Sequence, residues 1–215
     1  MHPDALRPLD FNKSAILLDV DGTILDLAPT PREVWVPPAL RRSLKLLLER
    51  TNGAIALVSG RSLHELDLIF APLQIAGIGC HGAELRSAQD QPIVNAAVQP
   101  LAGEIKRKFA VLKDLAPGIL VEDKVYSIAL HYRLAPEFQD ELLQEVSAIE
   151  EKLPDGSVEV LPGKWVVEIK QRGFSKASGV VALMKCPLFA GRKPIFIGDD
   201  VTDETVFPII PDFAG

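Results

Sequence analysis

The sequence predicts an α/β fold: a doubly wound parallel sheet interrupted by an inserted α+β unit. Three observations lead there. Continuous apolar runs of strand length alternate with helical patterns, as in parallel sheets covered on both faces. Each run stops at acidic or turn residues, where open α/β sheets bind ligands. Between about residues 98 and 172 the texture changes to strands with one wetter face.

The elements follow in order. Residues 14–20 (SAILLDV) form a continuous apolar run that ends in acids and reads as a buried strand. Pro37 and Pro38 open a helix that runs to about Thr51, with Leu40, Leu44, Leu47 and Leu48 on one face. Asn52-Gly53 ends it. Residues 54–58 (AIALV) are a second buried strand, 59–62 a turn, 63–70 a short helix and 75–79 a third strand that ends at Cys80-His81-Gly82-Ala83-Glu84. Residues 100–116 look helical, 121–133 fit one antiparallel strand, and 136–153 form an amphipathic helix. Residues 157–170 read as two strands around Pro162-Gly163. A helix at 175–185 and a short buried strand at 194–197 complete the pattern, the strand ending at Gly198-Asp199-Asp200.

Composition excludes several classes. The 215 residues are 47% hydrophobic and 24% charged, an ordinary globular balance with room for a real core. The 23 basic and 29 acidic residues give a net charge of −6 with no Lys/Arg block, so no nucleic-acid partner is expected. No apolar run approaches the roughly 20 residues of a membrane span, so no membrane partner is expected either. The start, MHPDALRPLD, lacks a basic segment followed by an apolar one, so a cytoplasmic protein without a signal peptide is expected. Cys80 and Cys186 read as free thiols. A monomer is expected.

Four segments carry chemistry. Asp19-Val20-Asp21-Gly22-Thr23 sends two carboxylates off one strand end, with Gly22 permitting a tight loop. That arrangement can aim one carboxylate at an electrophile, although an ordinary strand-end turn uses the same residues. Ser59-Gly60-Arg61 offers a hydroxyl and backbone N–H groups to a phosphate oxygen, or a simple helix cap. Lys176, near a helix start, could neutralise a phosphoryl group, although a lone lysine there is ordinarily solvated. Gly198-Asp199-Asp200-Val201-Thr202-Asp203-Glu204 holds too many acids for one cap. A divalent cation would relieve their repulsion, and oxygen-only ligands at a phosphate site favour Mg²⁺.

Taken in order, these four motifs resemble those of the haloacid dehalogenase (HAD) superfamily of aspartate-nucleophile phosphatases. The resemblance implies a Rossmann-like HAD core at 1–97 and 173–215, with an α+β cap domain at 98–172. It sharpens with His81-Gly82-Ala83-Glu84, Val121-Glu122-Asp123-Lys124, His131-Tyr132-Arg133, and Gly163-Lys164 with Glu168. Together with the acidic fourth motif, these resemble the trehalose-6-phosphate phosphatase family over about residues 16–207.

That family's residues, carried onto matching positions, imply the following roles. Asp19 is the nucleophile and Asp21 the general acid and base. Ser59 and Lys176 hold the transferring oxygens. Mg²⁺ is held by Asp19, the Asp21 carbonyl and Asp199, while Asp200 and Asp203 tune the metal or orient Lys176. Gly60, Arg61 and His81, with Glu122, Lys124, Arg133, Lys164 and Glu168 of the cap, meet the sugar and its phosphate. His131 reads as a structural histidine, and Trp165 as part of the cap core rather than a sugar-stacking ring.

Two departures stand out. Ala177 replaces the glycine usual after the third-motif lysine, and the chain ends at Gly215, short of the family's further strand and helix, so a barer sheet edge is expected. The implied reaction is hydrolysis of trehalose 6-phosphate through an aspartyl-phosphate, the last step of trehalose biosynthesis. The alternatives are a related phosphatase for another sugar phosphate, such as sucrose 6-phosphate or a glucosylglycerate phosphate, and a phosphosugar-binding module without catalysis.

Overall fold

The computed structural model describes residues 9–27 and 33–213. The signal-peptide reading therefore falls largely on residues 1–8, outside the described residues, as do residues 214 and 215.

The chain begins its core with β1 (Ser14–Asp19), whose six residues are all buried. Its alternation decides which side of the sheet each residue serves. Ala15 and Leu17 face one way, onto Val180, Leu183 and Phe189. Ile16 and Leu18 face the other, onto Leu44, Leu63 and Leu66. The elements that follow are α1 (Pro38–Arg50), β2 (Ile55–Val58), α2 (Leu63–Phe70), β3 (Ala76–Gly79), β4 (Glu84–Arg86) and β5 (Val94–Asn95). Next come α3 (Gly103–Ala110), β6 (Leu120–Asp123), β7 (Ser127–His131), α4 (Gln139–Glu150), β8 (Val158–Gly163) and β9 (Val166–Gln171). The chain then returns through α5 (Lys176–Leu183) and β10 (Lys193–Ile197).

Two sheets result. The first has the order β10-β1-β2-β3-β4-β5, the second β6-β7-β9-β8. In the first, β10, β1, β2 and β3 run parallel. The expected all-parallel sheet is corrected at its far edge, where β4 and β5 pair antiparallel. Cys80, His81 and Gly82 all take positive φ, which turns the chain straight back onto β3. β10 is also less buried than expected: it is an edge strand, and Ile197 is exposed.

The second sheet is antiparallel throughout and has its own core, in which Phe109, Leu142 and Val146 of the helices cover Ile128, Leu130, Val167 and Ile169. Residues 121–133 are a hairpin, β6 and β7, not the single strand expected. The turn closes with the Lys124 N–H donating to the Ser127 carbonyl at 3.0 Å. No Gly, Pro or Asn marks it in the sequence. The β8–β9 turn lies at Lys164-Trp165, two residues beyond the expected Pro162-Gly163. Pro162 is tolerated inside β8 because β8 is an edge strand. The residues of this sheet opposite its core include Glu122, His131 and Glu168, which sit on or beside adjacent rungs. That face meets the carboxyl ends of the parallel strands.

Candidate active site

The site assembles where the strands of the first sheet end. Asp19 closes β1 and is 4% exposed. Its Oδ1 accepts from Lys176 Nζ at 2.7 Å, while its Oδ2 is buried without a hydrogen-bond partner. Burial pushes the Asp19 carboxyl up to about 6, with Lys176 pulling it down and Asp203 adding to the rise. Asp21, two residues on, is gripped by Arg61: Nε and Nη2 each donate at 2.7 Å to one carboxylate oxygen. Gly22 has φ 94, and a Cβ there would run into the Asp199 carboxylate. The glycine thus lets the β1 loop press against the loop after β10.

Lys176 is buried, contrary to the usual fate of a lone lysine. It opens α5 directly after Ser175, whose hydroxyl accepts from the Ser178 N–H. Gly179 lets the helix lie on β3, since a Cβ there would press on Ile78. Lys176 Nζ bridges Asp19 and Asp203, at 2.7 Å to each. Burial would lower the Lys176 pKa, but these two carboxylates hold it above its ordinary value. Asp203 is fully buried, and its other oxygen accepts from the N–H groups of Asp199 and Asp200 at 3.2 and 3.1 Å. It therefore positions both the lysine and the acidic loop. Asp200 does not touch Lys176; its carboxylate accepts from the Val201 N–H at 2.6 Å and braces the loop.

Asp199 accepts from Thr23 Oγ1 at 2.9 Å and from Lys164 Nζ at 2.5 Å. Desolvation opposes its ionisation, but Lys164 and Thr23 outweigh that and hold its pKa below the ordinary value. Asp19, Asp199 and Asp203 each bring a carboxylate oxygen within 4.8 Å of the others. These oxygens are hard donors and Asp19 Oδ2 has no hydrogen-bond partner, so Asp19 and Asp199 fit a divalent cation, while both Asp203 oxygens are taken by Lys176 and the loop N–H groups. The Asp21 carboxylate is committed to Arg61, so Asp21 can join that set only through its backbone.

Ser59 opens the turn after β2 and is buried, its Oγ accepting from the Arg61 N–H at 3.1 Å. It is not the cap of α2; Ser62 is, paired reciprocally with Glu65. Gly60 lies against the His81 imidazole, which a Cβ would strike. His81 reaches across to the second sheet, with Nε2 3.2 Å from Glu168. Glu168 also accepts from Lys124 at 3.1 Å and from the Ser127 hydroxyl at 2.5 Å. Burial alone would raise the Glu168 pKa, yet Lys124, His81 and Ser127 hold it well below the carboxylate range. Glu122 pairs with His131 Nε2 at 2.9 Å and lies 3.9 Å from Lys124.

One cavity of about 170 Å³ joins these groups. The structure brings all the sequence-predicted site residues to its walls except Asp203, which stands behind Lys176. Sequence reasoning left out His131, which lines the cavity beside Glu122, and Thr23, which holds Asp199. The period-two spacing of His131 with the polar positions of its strand was the available signal for the first. Trp165 corrects an expectation: it is 43% exposed and lines the cavity rather than the cap core. The tight turn that carries it turns the indole out of the apolar side of the sheet.

A mixed, mainly parallel sheet with an aspartate–lysine pair and an acidic loop at its strand ends, roofed by a second sheet, defines a HAD-type α/β protein. The comparisons narrow this. The family model for trehalose-phosphatase matches residues 17–213. A Sinorhizobium fredii protein described as "Probable trehalose-phosphate phosphatase" is 42% identical over 207 residues, 96% of this chain and 77% of that one. The Escherichia coli trehalose-6-phosphate phosphatase is 37% identical over 203 residues, 94% and 76% of the two chains. The C-terminal domain of the C. albicans trehalose-6-phosphate phosphatase shares the fold, with a TM-score of 0.80 at 22% identity over 94% of this chain and 75% of that one. This chain belongs to the trehalose-phosphatase family. Among the described residues, no helix is long and apolar enough to cross a membrane.

Proposed function

We propose that this chain hydrolyses trehalose 6-phosphate to trehalose and phosphate, using Asp19 as nucleophile and residues 98–172 as a cap that reads the sugar. The observation that carries the reading is the shared cavity. A buried aspartate–lysine pair from one sheet faces Glu122, Lys124, Arg133 and Glu168 from the other. The first set suits a phosphoryl group, the second a hydroxyl-rich sugar.

Asp19 Oδ2, free of hydrogen bonds, forms a bond to phosphorus as the bond to the sugar oxygen breaks. Asp21, protonated once one of its oxygens leaves Arg61, gives that proton to the departing oxygen. It then takes one from the water that cleaves the aspartyl-phosphate, releasing phosphate and restoring Asp19. Arg61 holds Asp21 in place in its ionised form. Ser59 and Lys176 hold the transferring oxygens and offset the charge that develops on them. Asp203 keeps Lys176 in place. Asp19, the Asp21 carbonyl and Asp199 would hold a Mg²⁺ ion, which supplies neutralisation of the phosphate charge. Arg133, Lys164, Glu122, Lys124 and Glu168 pair with hydroxyls and exclude bulk water.

The test is phosphate release, with Mg²⁺ present, from trehalose 6-phosphate beside sucrose 6-phosphate, glucose 6-phosphate and mannose 6-phosphate. Selective release from trehalose 6-phosphate is expected. Preference for another ester overturns the sugar assignment, and no release from any overturns the phosphatase reading.

A further inference from the structure

Trp165 holds an uncomfortable position. It sits in the turn between β8 and β9 at φ 62, a conformation that bulky side chains rarely adopt. The residue is 43% exposed, so burial does not offset the strain. What fixes it is Tyr132, itself buried in the cap. The two rings meet edge to face, with centroids 6.1 Å apart at 69°. The Tyr132 N–H donates to the Trp165 carbonyl at 3.0 Å. Trp165 is thus braced by Tyr132 while it lines the cavity shared with Asp19 and Lys176.

The chemistry of that cavity gives the ring a use. Glu122, Lys124, Arg133, Lys164 and Glu168 are all charged, and they can satisfy hydroxyl groups and phosphate oxygens. None of them offers a flat apolar surface. A pyranose ring carries hydroxyls around its rim and presents C–H groups on its faces. A cavity that pairs only the rim leaves such a face against polar groups that cannot bond to it. An aromatic plane meets that need, and a rigid one does so with little loss of side-chain freedom.

We propose that Trp165 is a specificity-determining residue whose indole packs against the C–H face of a pyranose ring of the bound sugar phosphate. This rests on the reading of the cavity as a sugar-phosphate site. Trp165 plays no part in phosphoryl transfer; it selects for the sugar.

The chain has two tryptophans, Trp35 and Trp165. Trp35 does not line the cavity, so Trp35→Phe leaves Trp165 as the sole fluorescent reporter. In that variant, trehalose alone is expected to shift the emission saturably, and inorganic phosphate alone to leave it unchanged. In steady-state assays, Trp165→Ala is expected to raise KM for trehalose 6-phosphate about tenfold with kcat within about twofold, and Trp165→Phe to recover most of the loss. A merely structural role would lower the melting temperature and kcat together, without a sugar-dependent emission change. An unchanged KM in Trp165→Ala, or emission blind to trehalose in an active enzyme, overturns the proposal. If the enzyme releases no phosphate from trehalose 6-phosphate, the substrate reading fails separately. Titration with sucrose, glucose and mannose then decides for Trp165: an emission shift with any of them upholds the sugar platform, and none overturns it.

Discussion

Asp19 is expensive to the fold in the form that chemistry needs. Its carboxyl is pushed up to about 6, from 3.8, by burial first, with Lys176 opposing and Asp203 adding. The folded chain therefore holds this proton more tightly than the unfolded one. Its contribution to stability is present in full below about pH 4 and declines as pH rises toward 6, by about 3 kcal/mol in all. Asparagine keeps the shape without the charge. Asp19→Asn is expected to raise the melting temperature of the metal-free protein at about pH 7.5, with the gain vanishing below about pH 4. Calorimetry across that range checks this, and an equal or lower melting temperature at neutral pH contradicts it. The motifs around Asp19 were legible because each stands at the end of a recognisable strand or the start of a helix. The partnerships were not. That Asp203 holds Lys176 from 27 positions away, and that Arg61 clamps Asp21 from 40, depends on strand order, which no local spacing encodes.

Among the elements, the loops after β1 and β10 act as one unit. Gly22 allows their contact, Thr23 binds Asp199 across it, and Asp203 shapes the second loop from within. In Gly22→Ala, a methyl group would enter the space of the Asp199 carboxylate at a φ that alanine resists. The expected result is at least about a tenfold loss of Mg²⁺ affinity by titration calorimetry, with the fold retained. Unchanged affinity would show that Asp199 is not a ligand. A second device lies at the return from the cap. Lys170 is buried, pairs with Glu159 at 2.6 Å and donates to the Phe174 carbonyl at 2.6 Å, one residue before the cap of α5. It thereby ties the end of β9 to the helix that carries Lys176. The buried strands of the core were readable as apolar runs, and α1 as a leucine face. The short β4 and the β6–β7 turn were not: three residues give no period, and the Lys124 turn contains no residue that demands one. Trp165 was misplaced for a related reason. An aromatic inside a strand pattern reads as core until the turn is located.

At the scale of the molecule, function follows from two sheets facing each other across a charged gap. Lys164 binds Asp199, and His81 binds Glu168, so each layer holds a residue of the other. These bridges span the cavity of about 170 Å³ between the layers. Lys164 is half exposed, so its pair with Asp199 adds little to holding the layers together. The measurement that bears most directly on the whole is rapid-quench labelling with trehalose 6-[32P]phosphate. Label is expected on the peptide that carries Asp19, appearing before free phosphate and chased by unlabelled substrate, with none in Asp19→Asn. Turnover without label on that peptide, or label retained by Asp19→Asn, would contradict covalent catalysis by Asp19.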